Sequence, residues 1–229
     1  MAGEAEAANH GVRKCGVSEG DSSRPFAKNA SISGRTVEAM AYRSIILLGL
    51  RCSGKSTIGP MLAERMGVEF CDLDCEAAAV LKVASAGDAI RDLGLETFRD
   101  GEVQALWSVL SGDTARRGSV GPGRPARLVL ALGGGTPTAP GAEPLLKSAS
   151  SRDWLLVYLR ASVPVLQQRM SRSKLSTRPS LTGRSPLDEI GILHGQRDGQ
   201  YGRLAELSLE VDELSPEAAT EWIISRAEQ

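Results

Sequence analysis

Beyond residue 43 the chain alternates between short apolar runs and longer stretches of mixed polarity. Segments 44–49, 68–71, 128–132, 154–160 and 207–211 have the length and apolar density of strands buried on both faces. Helices are predicted over 58–66, 75–83, 86–93, 95–111, 140–148, 163–170, 186–203 and 216–227, the first of them ending at Gly67. Strands alternating with helices predict an α/β domain with a doubly wound parallel sheet. Pro60 falls inside the first helix, where its ring displaces a hydrogen bond, so a kink or a loosened first turn is expected there.

Two stretches break the rhythm. Residues 113–127 hold glycines, prolines and Arg116, Arg117, Arg124 and Arg127 without interleaved aromatics, which reads as a solvated connection and not as a nucleic-acid surface. Residues 171–185 carry Arg172, Lys174, Arg178 and Arg184 among serines and threonines. A basic, apolar-poor segment between two helices suits a lid whose arginine forks close over phosphates. Residues 1–42 lack both periodicity and large apolar side chains, and read as an N-terminal extension that does not order itself. Met40 stands just ahead of the first strand, and translation starting there is one reading. Peptides from residues 1–39 in a mass spectrum of the native protein would exclude it.

Composition narrows the classes. With 27 basic and 28 acidic side chains the net charge is −1, so bulk attraction to nucleic acid or an anionic membrane is not expected. No apolar run approaches the ~20 residues of a membrane-spanning helix. Cys15, Cys52, Cys71 and Cys75 show no C-x-x-C pairing, which points to a reduced cytoplasm, and two histidines are too few for a zinc site or a Ser/His triad.

The chemistry concentrates after the first strand. Gly49-Leu-Arg-Cys-Ser-Gly54-Lys55-Ser56, followed by Thr57, places a glycine-bearing loop between a strand and a helix. Such a loop turns successive N–H groups toward phosphate oxygens, and the helix N-terminus behind adds partial positive charge. Lys55 would reach the β- and γ-phosphates and the Ser56 hydroxyl would bind Mg²⁺, so the loop implies ATP chemistry. Asp72 and Asp74, two residues apart at a strand end, would point to one side, one serving the metal's water shell and the other a substrate hydroxyl. Gly133, Gly134 and Gly135 mark a place where backbone must approach something closely.

Asp72-x-Asp74, Phe98-Arg99-x-x-Glu102, Gly133-Gly134-Gly135, Arg178-Pro179-Ser-Leu181 and Arg197-x-x-x-Tyr201 follow the phosphate loop in the order seen in shikimate kinases. The chain resembles that family from about residue 43 to 229. Leu95 departs from the pattern, standing where the family commonly has Glu in G-E-x-x-F-R, and 75–88 match poorly.

The resemblance implies a three-layer α/β/α kinase with a five-stranded parallel sheet in the order 2-3-1-4-5 and a lid at about 171–185. It implies phosphorylation of the shikimate 3-hydroxyl by ATP with Mg²⁺, by a cytoplasmic monomer. Gly49, Ser53, Gly54, Lys55, Ser56 and Thr57 would hold the nucleotide, with Asp212 and Pro216 bordering adenine. Ser56 would bind the metal directly and Asp72 through water. Asp74 would accept from the ring hydroxyls as the candidate base. Arg99 and Arg197 would clamp the carboxylate, Gly133, Gly134 and Gly135 would lie against the ring, and Arg178 would meet the phosphates. Arg172 is the nearest candidate for a further adenine-side arginine. Two alternatives remain open at this point: a related small-molecule kinase, such as one for gluconate, and a kinase-like module that only binds nucleotide.

Overall fold

The computed structural model describes residues 44–112, 127–151, 154–172 and 185–227. The N-terminal extension, the arginines Arg116, Arg117 and Arg124, and most of the lid with Arg178, Pro179 and Leu181 lie outside them.

Five strands form one parallel sheet: β1 Ser44–Leu48, β2 Glu69–Asp72, β3 Leu128–Ala131, β4 Trp154–Arg160 and β5 Leu207–Glu210, in the order β2-β3-β1-β4-β5. The central strand β1 is buried along its whole length, with Leu47 opposite Ala131 on one side and Val157 on the other. Cover on both faces is what demands its unbroken apolar run.

Eight helices are described: α1 Lys55–Met66, α2 Leu73–Val80, α3 Ala86–Leu93, α4 Leu95–Leu110, α5 Ala142–Ser150, α6 Val163–Ser171, α7 Pro186–Leu204 and α8 Pro216–Ala227. The helix α1 packs against α8, while α5 and α7 pack against each other and against β4, giving three layers. Among the described residues no helix is long and apolar enough to cross a membrane.

Local signals explain where elements stop. Gly67 ends α1 in a left-handed conformation, where Val68 N–H reaches the Ala63 carbonyl at 2.9 Å and Gly67 N–H the Glu64 carbonyl at 3.2 Å. The helix runs unbroken through Pro60, whose missing N–H would otherwise pair with the Ser56 carbonyl. In α4, Phe98, Glu102, Ala105 and Leu106 share the buried face, so a carboxylate is carried into an apolar stripe. Leu95 packs against the core and Glu96 becomes the acid of the first turn, beside the positive helix end.

One expectation about the site fails. Asp72 and Asp74 do not both sit on a strand: β2 ends at Asp72, and α2 begins at once with Leu73. Asp72 caps that helix, its Oδ1 accepting the Asp74 N–H at 3.0 Å. A short side chain able to satisfy an orphan N–H outcompeted continuation of the strand. Likewise α5 starts at Ala142 and not at 140, because a 3₁₀ turn, Thr136–Thr138, follows the glycine run and Gly141 adopts φ 88°.

Candidate active site

The loop 49–54 leaves the carboxyl end of β1 and delivers Lys55 into the first turn of α1. Its backbone turns through left-handed conformations at Cys52 (φ 65°) and Gly54 (φ 108°). Gly54 takes such angles without cost, whereas Cys52 holds one of the few left-handed non-glycine conformations described. Gly49 is required for space, since a Cβ there would collide with Ser53 and approach the Leu159 carbonyl to 2.8 Å.

Lys55 is buried, and its Nζ donates to the carbonyls of Gly49 at 2.7 Å and Leu50 at 2.9 Å. Burial lowers its pKa to about 8, against the opposing pull of Asp74 and then Asp72. The charges of both carboxylates therefore bear on the loop's lysine despite their setting at a helix start. Burial raises the Asp72 pKa above the ordinary carboxylate range, and the charge of Asp74 adds to the rise. Ser56 stands directly after Lys55 in the first turn of α1 and is exposed. Thr57 follows Ser56, also exposed, in the same turn.

On the β2–β3 side of the loop lies an open cleft of about 490 Å³, lined by Arg51, Asp74, Ile90, Arg99, Gly134, Arg197 and their neighbours. Of the acceptor-side residues named from sequence, Asp74, Arg99, Gly134, Gly135 and Arg197 line it, and Gly133 does not. Arg99, on α4, pairs with Glu102, which is 0% exposed and also accepts from the Thr136 hydroxyl. Burial raises Glu102 above the usual carboxylate range, and Arg99 and Thr136 oppose that rise. Arg197 and Tyr201, one turn apart on α7, donate to the same Gly134 carbonyl at 2.7 and 2.8 Å. Burial lowers the Arg197 pKa and pushes the Tyr201 phenol up to about 12.

The three glycines serve space and not backbone angle. None has a positive φ, but a Cβ at Gly133 would meet Asp74, Glu102 and Thr136, and one at Gly135 would meet the Arg99 guanidinium. At Gly134 the neighbour is the Arg51 backbone N, 3.1 Å away. The close approach expected of the triplet is thus to the cleft's own charged groups.

On the β4–β5 side, the Asp212 carboxylate accepts the Ser162 N–H at 2.9 Å, and Pro216 opens α8. Arg169 bridges this edge to the phosphate loop. It donates to the Val211 carbonyl at 2.6 Å and to those of Cys52 and Ser53 at 3.5 Å.

A family model described as shikimate kinase matches residues 51–228. The shikimate kinase of Xanthomonas euvesicatoria pv. vesicatoria is 32% identical over 184 residues, covering 80% of this chain and 91% of that enzyme. The chain belongs to the shikimate kinase family. Among solved structures, shikimate kinase from Acinetobacter baumannii in complex with shikimate matches with a TM-score of 0.67 at 28% identity, over 82% of this chain and 93% of that one. A gluconokinase from Sinorhizobium meliloti reaches a TM-score of 0.50 at 16% identity over 81% and 95% of the two chains, a likeness of fold alone.

Within this shikimate kinase framework, sequence reading passed over several groups. Glu102 and Tyr201 stood inside quoted motifs, yet their work, fixing Arg99 and the Gly134 carbonyl, depends on burial. Arg51 occupies a loop position at which the phosphate-loop pattern prescribes no residue type, and it lines the cleft. Sequence named Arg172 as the nearest candidate for a further adenine-side arginine and did not single out Arg169, which donates to the phosphate-loop carbonyls of Cys52 and Ser53.

Proposed function

We propose that the protein transfers the terminal phosphoryl group of ATP to the 3-hydroxyl of shikimate, giving shikimate 3-phosphate and ADP. The observation that carries this reading is the meeting of Asp74, Arg99, Arg197, Gly134 and Gly135 in one cleft, with the charge of Asp74 bearing on Lys55. A small hydroxylated acid asks for guanidinium forks toward its carboxylate and a carboxylate toward its hydroxyls, and the cleft offers both.

The protein's part in phosphoryl transfer is positioning and charge. The Arg99 and Arg197 forks hold the acceptor carboxylate, with Glu102 and the Gly134 carbonyl fixing their directions. Asp74 accepts the hydroxyl proton, and Lys55 draws the phosphates toward the acceptor. Lys55 leaves the Gly49 and Leu50 carbonyls to meet phosphate oxygens, and pairing with them restores its full charge. Ser56 and Asp72 would hold Mg²⁺, which supplies charge neutralisation on the phosphates when bound. Arg178, outside the described residues, is assigned to the phosphates by its motif. Asp212, Pro216 and Arg169 border the base.

The reading takes the enzyme as a cytoplasmic monomer. The cysteines Cys52, Cys71 and Cys75 suit a reducing compartment, and all the residues invoked belong to one chain. Purified protein given ATP and Mg²⁺ should release ADP only when shikimate is present, and Asp74→Asn should abolish that dependence. Equal ADP release with and without shikimate would overturn the proposal.

A further inference from the structure

The cleft holds a third guanidinium that the motifs do not account for. Arg51 belongs to the phosphate loop itself, yet its side chain lines the acceptor cleft together with Arg99 and Arg197. It also lines an adjoining cavity of about 280 Å³ between the loop, α6 and α7, where Glu189 is 2% exposed. The Glu189 Oε2 stands 4.0 Å from Arg51 Nη1. On the opposite side the Arg51 backbone abuts Gly134, so the residue is held between the glycine run and α7.

The three cations divide by position. Arg99 is engaged by Glu102, and Arg197 by the Gly134 carbonyl. The charge of Arg99 bears on Arg197, while that of Arg51 bears on Lys55. Arg51 thus belongs to the wall of the cleft formed by the phosphate loop itself, whereas Arg99 and Arg197 enter it from α4 and α7.

We propose that Arg51 is a further catalytic residue, its guanidinium meeting the phosphoryl group on the acceptor side as it crosses, with Glu189 as the positioning residue that holds it there. The proposal rests on the shikimate kinase reading above. In the step, the acceptor hydroxyl oxygen forms a bond to the γ-phosphorus and the bond to the β–γ bridging oxygen breaks, leaving that electron pair on ADP. The hydroxyl proton passes to Asp74. Arg51 forms no covalent bond; it donates to oxygens whose charge is greatest during transfer and persists on the new phosphate monoester.

The test is steady-state kinetics of Arg51→Met, Arg51→Lys and Glu189→Gln, with calorimetric titration of shikimate and of shikimate 3-phosphate. Removing one donor from a transition-state charge lowers kcat by about 10²-fold, so that loss is expected for Arg51→Met with the shikimate KM within about twofold. Product affinity should fall about tenfold while shikimate affinity holds, because only the product carries the new phosphate. Arg51→Lys should recover part of kcat, and Glu189→Gln should lower kcat without moving KM. A raised shikimate KM at unchanged kcat would put Arg51 in the carboxylate clamp and overturn the proposal, as would kcat within twofold of the parent. Should Arg51→Met fail to fold, Arg51→Lys and Glu189→Gln carry the same kcat-against-KM distinction. Absence of shikimate-dependent ADP release by the unmodified enzyme would instead refute the underlying reading.

Discussion

Gly135→Ala isolates the acceptor clamp from everything else in the site. The added Cβ would stand 2.5 Å from Arg99 Cζ and 2.7 Å from Nη1. Carbon contacts settle near 3.5 Å, so the guanidinium must retreat by about 1 Å. It is the far end of a flexible side chain, and Gly135 has φ −130°, which an alanine tolerates, so the fold survives. Glu102 resists the retreat because it is buried and anchored by Thr136. Complete loss of a desolvated charge partner costs about 2–5 kcal/mol. A displaced but still present arginine should lose less, about 1.5–3 kcal/mol, which is a 10- to 100-fold weaker affinity. Calorimetric titration of shikimate into Gly135→Ala should show that loss, with the KM for ATP unchanged because Arg99 does not touch the phosphate loop. Shikimate affinity within twofold of the parent, in a protein with unchanged thermal unfolding, would remove Arg99 from the clamp. Equal weakening toward ATP would show a disturbance of the whole rim.

Four further outcomes are expected. The buried Lys55, with a pKa of about 8 against an ordinary value near 10.5, must be cationic to meet phosphate, so kcat/KM for ATP should fall as pH rises through about 8. Between those two values the unfolded chain binds more protons, so stability should rise with pH there, and Lys55→Met should remove that slope in urea titrations. Cys52→Gly should relieve a left-handed backbone worth about 1–2 kcal/mol, partly offset by the unfolded chain's added freedom, leaving a gain of up to about 1 kcal/mol in the urea midpoint. A loss instead would show that the packing of Cys52 outweighs its strain. Arg169→Met should raise the KM for ATP and leave that for shikimate alone, and the reverse pattern would contradict its place on the nucleotide side.

Much of this was legible before any coordinates, and the reason differs by feature. The strands could be read because burial on both faces compels unbroken apolar runs, as in β1 and β4. The glycine run could be read because three consecutive glycines serve little purpose unless something presses on them, although what presses, Asp74, Glu102 and Arg99, could not be named. The Asp72–Asp74 geometry was misread because a two-residue repeat suits both a strand and a capped helix start, and the deciding hydrogen bond to Asp74 N–H is local and invisible to periodicity. Arg51 and Glu189 were missed because they lie 138 positions apart in the chain and meet only through the packing of α7 against the loop.

The order of the strands explains why the chemistry is arranged as it is. The phosphate loop leaves β1, the middle strand, so its neighbours on the two sides border opposite ends of whatever the loop holds. Toward one edge, β3 leads into the glycine run and β2 into Asp72, with Arg99 and Glu102 on the helix behind them. Toward the other, β4 leads to Ser162 and β5 to Val211 and Asp212, which Arg169 ties back to Cys52 and Ser53. A parallel sheet with its crossovers on both faces can open at its carboxyl rim only at this reversal of strand order. On the proposed reading, the acceptor groups therefore sit across from the base-side groups with the loop between them. Substitutions on the β2–β3 side should alter acceptor kinetics and those on the β4–β5 side nucleotide kinetics. Arg51, on the loop itself but facing the acceptor, is where the two classes should meet.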